Sequence, residues 1–281
     1  MSAQIDDIIA RALAEDAPWG DVTSEVFLPA GATASAALVA REPGVFSGGD
    51  VFARVFALVD PDTTVELGID DGEPFTAGAV LARVAGTARA VLRAERIALN
   101  LVQRMSGIAT LTARYVAAVD GTGARVVDTR KTTPGLRVLE RQAVRDGGGR
   151  NHRFSLSDAV MAKDNHLAVL GASGVSVGDA IRRARARLGH TVHLEVEVDR
   201  LDQVAEVVEA GVDTIMLDNF TPDQLREGVA LVAGRAIVEA SGGVNLDTVR
   251  AIAETGVDVI SVGALTHSVR ALDLGLDVTV L

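Results

Sequence analysis

The chain has 281 residues, 48% of them apolar, which is enough for one large domain or two ordinary ones with a sizeable core. A formal net charge of −11 argues against broad nucleic-acid binding, and the absence of cysteine excludes disulfides and thiolate metal sites. No apolar run reaches the ~18 residues of a membrane span, and "MSAQIDDIIARALAED" at the start lacks a basic region before an apolar run. A cytoplasmic enzyme that binds neither membrane nor nucleic acid is the expectation.

Residues 4–15 have the spacing of a short amphipathic helix. "DVTSEVF" and "ATASAALVARE" then read as extended segments broken by Pro29 and Gly31. "GDVFARVFALV" is helical in spacing, "TTVELGI" and "GAVLARVAG" read as strands, and the turn-rich "DDGEPFTAG" separates them. From Ala88 to about Val119 runs a long helical pattern, with an interruption and a domain junction expected near Ser106 and Gly107. Residues 1–106 are thus expected to form a sandwich-like α+β domain.

After Gly121 short β-branched runs alternate with helical ones. The predicted strands are "ARVVD", "DAVMAK", "VHLEVEV", "DTIMLD", "RAIVEA" and "DVISVG". The helices between the later strands begin near Asp, Thr or Asn and end near Gly, as capping requires. This alternation predicts a parallel sheet, and polar residues at the strands' C-terminal ends favour a barrel. Six strands rather than eight make it an incomplete, atypical α/β barrel over residues 107–268. No G-x-G-x-x-G follows a strand, so a Rossmann nucleotide site is not expected.

The polar strand ends form two sets. The segment 130–163 carries eight Arg or Lys residues, a local surplus in an acidic protein that suggests an anionic small-molecule ligand. Arg137, Arg141 and Arg145 are four apart and read as a solvated helix face. Arg130, Lys131, Arg153 and Lys163 fall at strand ends, where a pocket should open, with His152 beside them. Lys131 and Lys163 are the chain's two lysines among 27 basic residues, and both lie in this set. Glu195 and Glu197 share one face of the third strand, and Asp218 ends the fourth. Their carboxylates would suit Mg²⁺ held together with substrate phosphates, or salt bridges to the basic set, and spacing alone leaves that choice open. Ser241, Gly242 and Gly243 after the fifth strand, and Gly263 to His267 after the sixth, read as phosphate-binding turns.

The blocks "DTRKTTPGLRVLERQAVRDGGGRNHR", "KDNH", "EVEV", "LDNF", "EASGGV" and "SVGALTHS", in this order, resemble the quinolinate phosphoribosyltransferase family. "EDAPWGDVTSE" and "ERIALNLVQRMSGIAT" extend the resemblance over nearly the whole chain. The resemblance implies transfer of phosphoribose from phosphoribosyl pyrophosphate to quinolinate with decarboxylation, for NAD synthesis. It also implies Mg²⁺, a homodimer with shared active sites, and packing of residues 269–281 on the N-terminal domain. By the same resemblance, Arg130, His152, Arg153 and Lys163 surround the quinolinate carboxylates, joined by Arg96 of the other subunit. Lys131 falls on the pyrophosphate side, while Glu197 and Asp218 fall near the ribose and Mg²⁺. Glu195 is the other candidate in "EVEV"; the 21-residue gap to Asp218 favours Glu197. Ser241, Gly242, Gly243, Gly263 and His267 fall in the 5-phosphate and ribose region. Ser155 departs from the family, which commonly has Gly at that turn. Competing expectations are a related molybdenum-transport-associated protein, a Schiff-base lyase using Lys163, and a catalytically silent phosphate-binding barrel.

Overall fold

A computed structural model describes residues 3–172 and 174–280. The strands are β1 (Thr33–Ala40), β2 (Gly44–Val45), β3 (Thr64–Leu67), β4 (Pro74–Phe75), β5 (Val80–Thr87), β6 (Arg125–Val127), β7 (Val160–Ala162), β8 (Leu194–Val198), β9 (Thr214–Asp218), β10 (Ile237–Ser241), β11 (Val259–Ser261) and β12 (Leu274–Val280). The chain divides into two compact units: residues 1–113, 132–148 and 265–281, and residues 114–131 and 149–264. None of the helices among the described residues is long and apolar enough to cross a membrane.

The first unit is built on an antiparallel sheet in the order β12-β1-β5-β3, with a separate β2–β4 pair. Alternation along β1 buries Ala34, Ala36, Leu38 and Ala40, the small and apolar half of the strand. The helices Ala3–Asp16 and Gly49–Val59 pack together, burying Ile5, Ile8, Ile9, Val51, Phe52, Val55 and Phe56. Phe52 and Phe56 meet edge to face with centroids 5.0 Å apart. Arg54 grips Asp6 across this helix pair at 2.8 and 2.9 Å.

Two expectations fail here. "DVTSEVF" is not extended: Val22–Phe27 is a helix, because Asp21 caps it by accepting the Ser24 amide at 3.1 Å. Nor is the long helix interrupted, for Ala88–Ala118 runs unbroken through Ser106 and Gly107. Gly107 serves close approach instead: a Cβ there would sit 2.2 Å from the Arg270 carbonyl oxygen. The helix Arg137–Asp146 buries Leu139, Glu140, Ala143 and Val144, and leaves Arg145 exposed.

The second unit holds six parallel strands in the order β6-β11-β10-β9-β8-β7, the incomplete barrel that six strand–helix repeats predict. β6 and β7 are the open edges. Arg150 covers part of the β6 edge, its amide donating to Val126 O at 2.9 Å and its carbonyl accepting from Asp128 at 3.1 Å. One parity of the strands is apolar and buried: Val126, Val196, Ile215, Leu217, Val238, Ala240 and Ile260. The other parity carries the polar residues, because successive side chains alternate faces. Thr221 starts the helix Pro222–Val232 with a reciprocal capping box to Gln224 and Pro at its first turn.

Candidate active site

Register aligns the polar parity into rows. Glu197 lies opposite Met216, which lies opposite Glu239, and one step along Asp218 lies opposite Ser241. Lys163 follows β7 immediately, and Ser261 ends β11. These residues, with Thr129, Arg130, Lys131, His152, Arg153 and Met161, line one cavity of about 430 Å³ in the second unit. The wall presents four basic side chains, Arg130, Lys131, Arg153 and Lys163, against Glu197, Asp218 and Glu239.

Local structure explains how the cations arrive there. Asp128 is fully buried at the end of β6 and accepts from Asn151 Nδ2 at 2.6 Å and from the His152 amide at 2.7 Å. This pins the 150–153 segment to the strand that delivers Arg130 and Lys131. Arg153 Nη1 donates to Ala159 O at 2.8 Å. Burial, then the nearby Arg130, hold the Arg153 guanidinium below its usual value, and Glu195 and Asp158 oppose this. Lys163 forms an ion pair with Glu197.

His152 Nε2 faces two buried carboxylates, Glu195 Oε2 at 3.3 Å and Glu239 Oε2 at 3.4 Å. Burial would drive the imidazole toward neutrality, while hydrogen bonds to the two glutamates act the other way and favour a proton on Nε2. Nδ1 accepts the Arg153 amide at 2.6 Å, and a nitrogen that accepts an N–H carries no proton of its own. The geometry therefore puts the ring's proton on Nε2, facing the two carboxylates. Glu195 is itself raised by burial, with Glu239's charge adding to the rise.

Of the residues singled out from sequence, Arg130, Lys131, His152, Arg153, Lys163, Glu197, Asp218 and Ser241 line the cavity. Glu195 is buried off its wall. Gly242 and Gly243 adopt left-handed φ of 85° and 62°. A Cβ on Gly242 would fall 2.1 Å from Asn219 Oδ1, so this turn requires glycine to pass the β9 end. The expected helix N-terminus does not follow that turn directly, since the next helix starts at Val249. Gly263 immediately precedes the short helix Ala264–His267. Arg96 and His267 belong to the first unit and are both exposed. Sequence reasoning missed Glu239, Met161, Met216 and Ser261. Their signal was parity: Glu239 and Ser241 are two apart on one strand.

Family models for the quinolinate phosphoribosyl transferase N-terminal and C-terminal domains match residues 21–106 and 108–277. The chain belongs to the quinolinate phosphoribosyl transferase family. It is 46% identical to the nicotinate-nucleotide pyrophosphorylase (carboxylating) of Mycobacterium leprae, over 96% of each chain. It is 43% identical to the probable enzyme of that name from Bacillus subtilis, over 98% of this chain and 94% of the relative. The crystal structure of NadC from Streptococcus pyogenes superposes with a TM-score of 0.94 at 43% identity, covering 99% of this chain and 97% of that one.

Proposed function

We propose that the cavity of the second unit transfers the phosphoribosyl group of phosphoribosyl pyrophosphate to quinolinate. The products are nicotinate mononucleotide, pyrophosphate and CO₂, in the synthesis of NAD. The observation that carries this reading is four cations facing carboxylates across one cavity, in a chain of this family.

Quinolinate is a dianion, and arginine's planar fork matches a carboxylate while lysine offers a compact charge for phosphate. Arg130, Arg153 and Lys163 are assigned to the quinolinate carboxylates, with His152 behind Arg153, and Lys131 to the pyrophosphate. The ring nitrogen attacks ribose C1 as pyrophosphate leaves, and positive charge develops on the sugar. Glu197 and Asp218 are assigned to stabilise that charge. Loss of CO₂ then follows on the bound mononucleotide. The turn Ser241–Gly243 is assigned to the 5-phosphate, with Gly263 and His267 as further candidates for the phosphate and ribose region.

Glu197 and Asp218 are hard oxygen donors on adjacent strands and one face, which suits Mg²⁺ shared with substrate phosphates. Lys163 holds Glu197 Oε2, so the ion would share this carboxylate with Lys163. When bound, Mg²⁺ would neutralise the charge of the leaving pyrophosphate.

A homodimer that lends Arg96 of one subunit to the other's cavity is part of this reading. Trp19, Val22, Val26 and Phe27 support self-association: they are exposed within one short segment, Trp19 at 92%. Mixing Arg96→Ala and Arg153→Ala chains should restore about a quarter of wild-type activity, from statistical exchange in a two-fold dimer. A cytoplasmic location is proposed with it, in keeping with a cysteine-free chain, and cell fractionation checks it.

Incubation with quinolinate, phosphoribosyl pyrophosphate and Mg²⁺ tests the activity. Nicotinate mononucleotide should appear, and should stop appearing when the metal is chelated. Its absence with all three present overturns the reading.

A further inference from the structure

We propose that Glu195 and Glu239 are positioning residues that clamp Nε2 of His152 and, through the ring, fix the main chain of Arg153 at the carboxylate-binding end of the cavity. This rests on the transferase reading above. It assigns the acidic pair to quinolinate binding, and to that substrate alone.

The geometry carries the inference. The two carboxylates come from strands β8 and β10, on either side of β9, and converge on one nitrogen. Both glutamates are nearly fully buried, at 3% exposure each. One oxygen of each, Oε1, has no hydrogen-bond partner among the described residues. Buried carboxylates held this way are costly unless a rigid donor satisfies them. The donor is His152, whose main chain is itself locked by Asp128. On the far side of the ring, Nδ1 takes the Arg153 amide at 2.6 Å. Both ring nitrogens thus contact the chain, and what the ring passes to the cavity is the placement of Arg153.

Electrostatics explains why the clamp is acidic. Arg153 and Arg130 lie close enough for mutual repulsion, and Glu195 counters it. Glu195 is buried off the cavity wall and meets the site through His152, while Glu239 reaches the wall with its charge shared at the same nitrogen. Glu197 and Asp218 take no part, since they face Lys163 and Asn219 respectively.

A double-mutant cycle of Glu239→Ala and His152→Ala, read as KM for each substrate, tests the chain of contacts. Glu239→Ala should raise KM for quinolinate by at least about tenfold, the loss of one charge-assisted hydrogen bond. KM for phosphoribosyl pyrophosphate should stay within about twofold, and Glu239→Gln, which still accepts from Nε2, should recover most of the loss. In the His152→Ala background, Glu239→Ala should add nothing further. Equal effects on both substrates, or full additivity, would overturn the proposal. A stoichiometric divalent ion retained by wild type through gel filtration and lost from Glu239→Ala would also overturn it, because the three groups would then be metal ligands. A second readout does not depend on turnover. Proton NMR of the wild type should show a slowly exchanging His152 Nε2 proton that Glu239→Ala loses; its absence from wild type sinks the clamp. A wild type with that proton but no nicotinate mononucleotide would contradict the transferase reading alone.

Discussion

Glu140 in the first unit and Glu239 in the second are both buried glutamates, and they are treated differently. Glu140 Oε1 accepts from Arg104 Nε at 2.8 Å and Nη2 at 2.5 Å, and Oε2 accepts the Thr133 amide at 3.1 Å. Arg104 spends its remaining reach on Thr133 Oγ1 and Thr266 O. That cluster is closed: each carboxylate oxygen is matched by a donor from the same unit. Glu239 shares one histidine nitrogen with Glu195, and an oxygen of each stays without a hydrogen-bond partner among the described residues. Around them stand four cations lining an open cavity. The charges of that cluster hold segments of chain together, whereas the cations lining the second unit's cavity face space that a ligand can fill. Incompletely compensated burial is where ligand chemistry is expected.

Removing one partner of the closed cluster should have the largest effect on stability. Arg104→Ala leaves Glu140 buried without its cation and should cost about 3–5 kcal/mol, read from urea unfolding. A loss below 1 kcal/mol would mean the cluster is not closed in the sense argued. Lys131→Arg keeps the charge and should leave unfolding unchanged. It should lower kcat/KM about tenfold or more, ~1.4 kcal/mol in the barrier, because a fork replaces a point charge. Unchanged kinetics would make that lysine incidental. Gly107→Ala sets a helix gain of about 1 kcal/mol against overpacking of about 1–3 kcal/mol from a Cβ at the Arg270 carbonyl. Net destabilisation with normal KM values is expected, and a stabilised protein would show that the chain near Arg270 yields.

The smallest effect concerns acid. Glu42 pairs with Arg270 and accepts the Asp273 amide at 2.8 Å, and these contacts lower its pKa to about 2. A carboxylate lowered on folding contributes stability that is full above its unfolded value of 4.5 and fades as pH falls through about 2. Glu42→Gln should therefore lower stability modestly at pH 7, where the contribution is full, and the gap to wild type should close as pH falls toward about 2. An identical acid profile would remove this pair from the account.

The parallel sheet was legible because β-branched runs alternate with capped amphipathic helices, and the cavity cations were legible because they stand at strand ends. Glu239 was not, since "RAIVEA" reads as a buried strand until its parity is matched to Ser241. The histidine clamp requires convergence of β8 and β10 across β9, which no local pattern encodes. "DVTSEVF" misled because alternating apolar and polar residues suit a strand, while a single capping aspartate decides for a helix. Gly107 misled in the opposite sense: it reads as a helix break but is small because another segment passes it.

The measurement that bears most directly on the claim is Arg153→Ala, followed by turnover and by thermal unfolding of the same preparation. Arg153 stands in the cavity of the second unit, and its guanidinium donates to the Ala159 carbonyl. The account predicts an unchanged melting temperature with no detectable nicotinate mononucleotide. Near-normal kcat/KM, or a collapse of stability matching that of Arg104→Ala, would contradict it.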